Sequence, residues 1–225
     1  MQSLITTGPD RLRPARRNHW ALVCLASALA LGGVARATFA DEPDADAMTY
    51  ARHLAIGVCG TCHGANGNST QPKFPRLAGQ SANYLRVQLK AFREQTRGDP
   101  DALGYMWGMA SQLDDATIDA LALYYSRQRP EPVHHGDSAA VSRGREIFQH
   151  GVESEGVPAC SSCHGPDGRG MADFPRIAGQ HAQYVLKQLG SFKSNMRNVA
   201  VMHGVAQNLR VEEMESVAAY LETQP

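Results

Sequence analysis

Large aromatic side chains are scarce in this chain, with two Trp, six Phe and seven Tyr among 225 residues. A chain this poor in them, divided into small units, builds only thin cores from its own side chains. Each unit therefore needs another apolar body. No apolar stretch approaches the ~20 residues that span a bilayer; the stretch Trp20–Val34 has 15. The formal net charge is zero and there is no basic tract, which argues against nucleic acid as a partner. Nor is there the alternating apolar pattern of half-buried strands. Cysteine is limited to five residues.

What is present begins with an export signal. Arg11, Arg13, Arg16 and Arg17 precede the apolar stretch, and Ala35-Arg36-Ala37 or Thr38-Phe39-Ala40 offers a small-residue cleavage site. Residues 1–40 are expected to be removed, after Ala37 or Ala40. An uncleaved anchor fits less well, because polar residues and helix breakers follow at once. The twin arginines Arg16-Arg17 lack the flanks of a folded-protein export signal. Cys24 lacks the small residues that precede a lipidated cysteine, and leaves with the signal. Cleavage before Asp41 leaves 17 basic and 21 acidic residues.

The remainder is an internal repeat. Phe74-Pro75-Arg76-Leu77-Ala78-Gly79-Gln80 recurs as Phe174-Pro175-Arg176-Ile177-Ala178-Gly179-Gln180, and Tyr84, Gln88, Leu89 and Phe92 recur as Tyr184, Gln188, Leu189 and Phe192. Downstream, Leu113 and Tyr124 correspond to Leu209 and Tyr220. Helical apolar spacing marks 47–58, 81–92, 117–126, 142–150, 181–192 and 211–222, with irregular loops expected between them. The fold class is therefore all-α, in two tandem domains at 41–129 and 139–225. The Pro-rich linker 130–138 joins them.

Each half carries one Cys-x-x-Cys-His, Cys59-Gly60-Thr61-Cys62-His63 and Cys160-Ser161-Ser162-Cys163-His164. This is the pattern for covalent haem attachment. Two thiols on one turn of chain reach the two vinyl groups of a porphyrin, and the following histidine lies beneath the iron. A thiol–disulfide motif needs a thioredoxin-like βαβ setting, which is missing. A zinc site would bring both pairs together, whereas the repeat separates them. Two haem c groups per chain are thus expected, one as the missing apolar body of each half. Both halves then read as cytochrome c-like helical bundles.

Aligning Leu113 with Leu209 places Met106 on Met202, each two residues before a glycine, so these two are chosen as the second axial ligands with His63 and His164. Met109 falls on Val205, and Met196 lies before the equivalent segment; with Met171 and Met214 they are read as core gap-fillers. Pro75 and Pro175 follow the histidines closely, and their carbonyls are expected to accept the second imidazole N–H. Arg76 and Arg176, with Gln80, Tyr84, Gln180 and Tyr184, are candidate partners for haem propionates. His53, His134, His135, His150, His181 and His203 are read as surface residues, although His203 neighbours Met202 and could replace its sulfur.

With these residues in place, the chain resembles the dihaem cytochrome c4 family over nearly all of its exported part. The resemblance implies two cytochrome c domains related by a pseudo-twofold, with propionate edges facing across the interface. It implies a periplasmic electron carrier, often membrane-associated at the periphery, that is not itself an enzyme. Electrons would come from a quinol-oxidising complex or a dehydrogenase and go to a terminal oxidase. A tightly bound electron-transfer subunit, as in a flavin-dependent sulfide dehydrogenase, is an alternative, and a dihaem peroxidase a weaker one. Two segments depart from the family pattern, Val152–Pro158 and Gly98–Gly104. Either is expected to alter a haem edge or a partner surface.

Overall fold

The computed structural model describes residues 43–132, 136 and 138–225. The expected export segment with Cys24, Ala37 and Ala40, and the linker histidines His134 and His135, lie outside the described residues. The described chain is helical, and its β structure is confined to two isolated bridges, Val152–Val157 and Met171–Phe174.

In the first half, α1 (Ala45–Leu54) starts where the Asp44 carboxylate accepts from Ala47 N at 2.7 Å. One π-helical turn, Ala55–Cys59, carries it into the short α2 (Gly60–His63). Helix α3 (Ala82–Arg93) is capped by Ser81. A second π-helical turn, Ala102–Met106, leads into α4 (Trp107–Ala110), and α5 (Asp115–Ser126) is capped by Asp114. The second half repeats this order with α6 (Ala139–His150), α7 (Ser161–His164), α8 (Ala182–Lys193), α9 (Ala200–Ala206) and α10 (Val211–Glu222). Helices α1 and α3 pack on α5, and α6 and α8 pack on α10.

The two cores differ. In the first half, α1 and α5 meet through Ala51, Ala55, Ala120 and Ala122, with Leu85, Leu121 and Tyr125 beside them. A small separate cluster holds Phe92, Ala102 and Ala110 against Met106 and Trp107. The second half is filled by larger residues, Ile147, Phe148, Leu209, Met214, Val217 and Leu221. Its α6–α10 crossing depends on Gly144, where a Cβ would come within 2.0 Å of Ser216 O.

All six expected helices form, with ends shifted by a few residues. The segments around Met106 and Met202, expected as loops, are helical instead. Gly104, Gly108 and Gly204 read as breakers, but tertiary anchors override that propensity. Trp107 Nε1 donates to Arg97 O at 2.8 Å, and His203 Nδ1 meets Phe192 O at 2.8 Å. Each anchor fastens a methionine segment to the end of the preceding long helix.

Candidate functional site

Each Cys-x-x-Cys-His forms a turn of helix that delivers its histidine inward, and His63 and His164 are both buried. The loop that follows is set by Gly67 and Gly168, at φ of 77° and 68°, where only glycine is unstrained. Gly67 O accepts from Leu77 N and Ala78 N at 2.7 and 3.1 Å; Gly168 O accepts from Ile177 N and Ala178 N at 2.7 and 2.8 Å. This clamp fixes the Phe-Pro-Arg stretch beside the histidine. His63 Nδ1 then meets Pro75 O at 2.9 Å, and His164 Nδ1 meets Pro175 O at 2.9 Å. Only the donor tautomer satisfies that carbonyl, so Nε2 carries the lone pair in both rings. Phe74 and Phe174 hold the rings edge-on, with centroids 6.2 and 6.1 Å away. Burial pulls both imidazoles below their usual pKa, against the pull of the carbonyls, and keeps them neutral.

The first thiol of each pair has the opposite character to the attacking thiol of a redox motif. Burial pushes Cys160 up to about 11 and also raises Cys59. A thiol–disulfide exchanger needs a depressed attacking thiol.

Met106 and Met202 are half-buried and turned toward the apolar interior of their own halves. The other methionines divide differently from the expectation. Met214 is core, but Met109, Met171 and Met196 are about half exposed and fill no gap. His203 is also not a surface residue: it is half-buried and its Nδ1 is committed to Phe192 O, the counterpart of the Trp107 anchor. His181 is buried too, with Nε2 2.9 Å from Ser69 O of the other half and Nδ1 3.3 Å from Glu222. His53 and His150 are exposed as expected.

The candidate propionate partners separate into two groups. Arg76 and Arg176 line a crevice between the halves. Arg76 Nε and Nη1 are buried there without a partner in the protein. Gln80 and Gln180 instead cross between the halves. Gln180 accepts from Arg76 N and donates to Arg76 O at 2.8 and 2.9 Å, and Gln80 makes the mirror pair with Arg176 at 2.9 and 2.7 Å. Tyr84 and Tyr184 accept from Arg197 and Arg97 of the opposite half, at 2.6 and 3.3 Å.

Those two arginines lie outside the repeated motifs that carry the attachment and ligand residues. Each donates to both Gln88 and Gln188, at 2.7 and 2.8 Å for Arg97 and 3.0 and 2.6 Å for Arg197. Their signal was available, since they recur at the same 100-residue offset as Gln88 and Gln188. The Gly98–Gly104 segment adds Asp99 and Asp101 to this contact, the latter paired with Lys187. The Val152–Pro158 segment folds onto its own half, where Glu155 pairs with Arg210 at 2.9 Å.

The donor set fits haem c. Each half has two thiols on one helical turn, a neutral imidazole with Nε2 free, and a half-buried thioether. The orphaned Arg76 donors agree with an anionic group at the crevice.

Comparison with known proteins gives the same answer. The cytochrome c family profile matches residues 51–126 and 141–225. Cytochrome c-552 of Acidithiobacillus ferridurans is 44% identical over 72% of this chain and 72% of its own length. A protein of Stutzerimonas stutzeri strain A1501 named thiosulfate dehydrogenase electron acceptor is 43% identical over 90% of this chain and 93% of its own. The solved structure of Acidithiobacillus ferrooxidans cytochrome c4 aligns with a TM-score of 0.70 at 42% identity, covering 73% of this chain and 97% of that one. Among the described residues, no helix is long and apolar enough to cross a membrane. With a haem-attachment turn in each tandem half and this agreement along both, the chain belongs to the cytochrome c family and, within it, to the dihaem cytochrome c4 electron-transfer proteins.

Proposed function

We propose that the chain is a periplasmic dihaem electron carrier, supplied by a dehydrogenase or a quinol-oxidising complex and drained by a terminal oxidase. In this reading His63 and Met106 hold one iron, and His164 and Met202 the other. The domains are bounded at 41–129 and 139–225. Bound haem supplies a one-electron iron couple, and a thioether ligand raises its potential relative to a second histidine.

The protein does the rest. Cys59, Cys62, Cys160 and Cys163 anchor the group covalently. Pro75 and Pro175 fix the tautomer and orientation of the imidazoles. Arg76 and Arg176 offer guanidinium donors to propionates at the crevice between the halves. With one histidine and one methionine holding each iron, no position would stay open for substrate, which suits an electron carrier rather than a peroxidase. The observation that carries the reading is the matched pair of buried imidazoles, each with Nδ1 2.9 Å from a proline carbonyl. Both halves offer the same ligand in the same tautomer.

A second reading of the pathway is favoured by the relative named thiosulfate dehydrogenase electron acceptor, which matches nearly the whole length. Here the donor is a thiosulfate-oxidising enzyme. One experiment separates the readings. The oxidised protein is mixed with purified thiosulfate dehydrogenase and thiosulfate, and separately, once reduced, with oxidase-containing membranes under air. Rapid reduction in the first mixture marks the thiosulfate donor, and rapid reoxidation in the second marks the oxidase as acceptor. Failure to be reoxidised by the membranes counts against the oxidase. Stoichiometric co-purification with a flavoprotein would instead make it an enzyme subunit.

A further inference from the structure

The contact between the halves is close to twofold symmetric, and it is broken at one buried charge. Arg97 and Arg197 lie at equivalent places, stacked on Phe92 and Phe192 with guanidinium carbons 4.8 and 4.6 Å from the ring centroids. Each shares Gln88 and Gln188 and reaches the opposite tyrosine. Only Arg97 has a carboxylate. Asp99, 1% exposed, accepts from Arg97 Nε at 2.6 Å and from Gln188 Nε2 at 3.3 Å. One hundred residues on, the second half has the uncharged Val199, 39% exposed, and Arg197 Nε is buried without a partner. Burial resists ionisation of Asp99, but Arg97, Gln188 and Arg197 outweigh it and keep the carboxylate below its usual pKa.

The residue that bears this charge is tied through its backbone to the Met106 side of the first half. Asp99 O accepts from Leu103 N at 3.1 Å, within the turn that ends at Met106. Arg97 O holds Trp107, and Phe92 under Arg97 packs in the cluster that includes Met106 and Trp107. In the second half, Arg197 rests on Phe192, whose carbonyl anchors His203 beside Met202. The methionine side of the first half therefore faces a neutralised arginine, and that of the second half a guanidinium with no carboxylate of its own.

We propose that Asp99 is a positioning charge that sets the two haem potentials apart, holding the first-half couple below the second. A carboxylate stabilises the more positive, oxidised iron, and an unpaired guanidinium stabilises the reduced one. A single electron on the chain then rests mainly on the second half, and gaining it there means losing it from the first, with no bond made or broken. A buried charge in contact with the packing around a redox site biases such an equilibrium on the order of tenfold, or ~59 mV for a one-electron couple. The inference rests on the His/Met reading above.

The test is spectroelectrochemical titration of the dihaem protein as wild type, Asp99→Asn and Val199→Asp. Asp99→Asn is expected to raise the lower wave more than the upper, narrowing the separation by about that amount. Val199→Asp, which sets a carboxylate two residues after Arg197 as Asp99 is set after Arg97, is expected to lower the upper wave and narrow the separation as well. An unchanged or wider separation in Asp99→Asn overturns the proposal; if that variant fails to retain both haems, Val199→Asp decides by the same criterion. Met106→Ala identifies the first-half wave. Should it move neither wave, the ligand reading falls, while the Asp99 comparison, read from the separation alone, still stands or falls by itself.

Discussion

At His63 and His164 the two ring nitrogens have separate tasks. Nδ1 is fixed by a proline carbonyl, and Nε2 is the nitrogen that the proposed reading gives to iron. The same division of labour distinguishes the methionines, because a sulfur that faces solvent cannot close an iron site. Met106→Ala and Met202→Ala are each expected to convert one haem to high spin and lower its wave while sparing the other. Met109→Ala and Met196→Ala remove exposed sulfurs and should change neither haem. Absorption spectra and redox titration of the four variants check this; a silent Met106 or Met202 variant removes that ligand from the account. In the second core, Phe148 is 1% exposed, and Phe148→Ala should cost about 3–5 kcal/mol in denaturant unfolding.

Among the elements, the long helices were legible because their apolar periodicity is strong, and the attachment turns because their chemistry needs a fixed spacing. The π-helical turns at Ala55–Cys59 and Ala102–Met106 were not, since nothing local distinguishes them from α-helix or loop. The interdomain role of Gln80, Gln180, Tyr84 and Tyr184 was also hidden. A repeated polar residue declares that it matters, but its partner lies about a hundred residues away, and a propionate is the partner that the neighbouring attachment motif suggests. Gln180→Ala strips the Arg76 backbone N–H and C=O of their partner, and is expected to cost ~1–3 kcal/mol. With Gln80→Ala added, the two halves should unfold in two separate calorimetric transitions rather than one; a single transition would show that other contacts carry the coupling. At the start of α10, hydrogen bonds from Arg210 hold Glu213 below the usual glutamate pKa, against its desolvation. A depressed carboxylate contributes stability above its unfolded pKa, near ~4.3, and loses it as pH falls through the folded value. Glu213→Gln should therefore flatten the acid limb of melting temperature against pH below that point. An unchanged limb would mean the pair contributes nothing there.

On the scale of the molecule, two thin helical halves each take up a covalent cofactor, and a polar contact of near-twofold symmetry locks them together. The shortage of aromatic side chains and the tandem Cys-x-x-Cys-His belong to one design, in which porphyrin supplies apolar bulk that the sequence omits. The buried polar lock answers a second need, since it holds the two halves in a fixed relation. Its asymmetry at Asp99 gives the pair a direction. All of this requires that four sulfurs be thioethers in the exported protein. The most direct measurement is the denatured mass of the purified exported chain combined with thiol titration. The account predicts the mature polypeptide plus two haems, with Cys59, Cys62, Cys160 and Cys163 unreactive. A colourless chain of bare polypeptide mass, with all four thiols titrating, would contradict it.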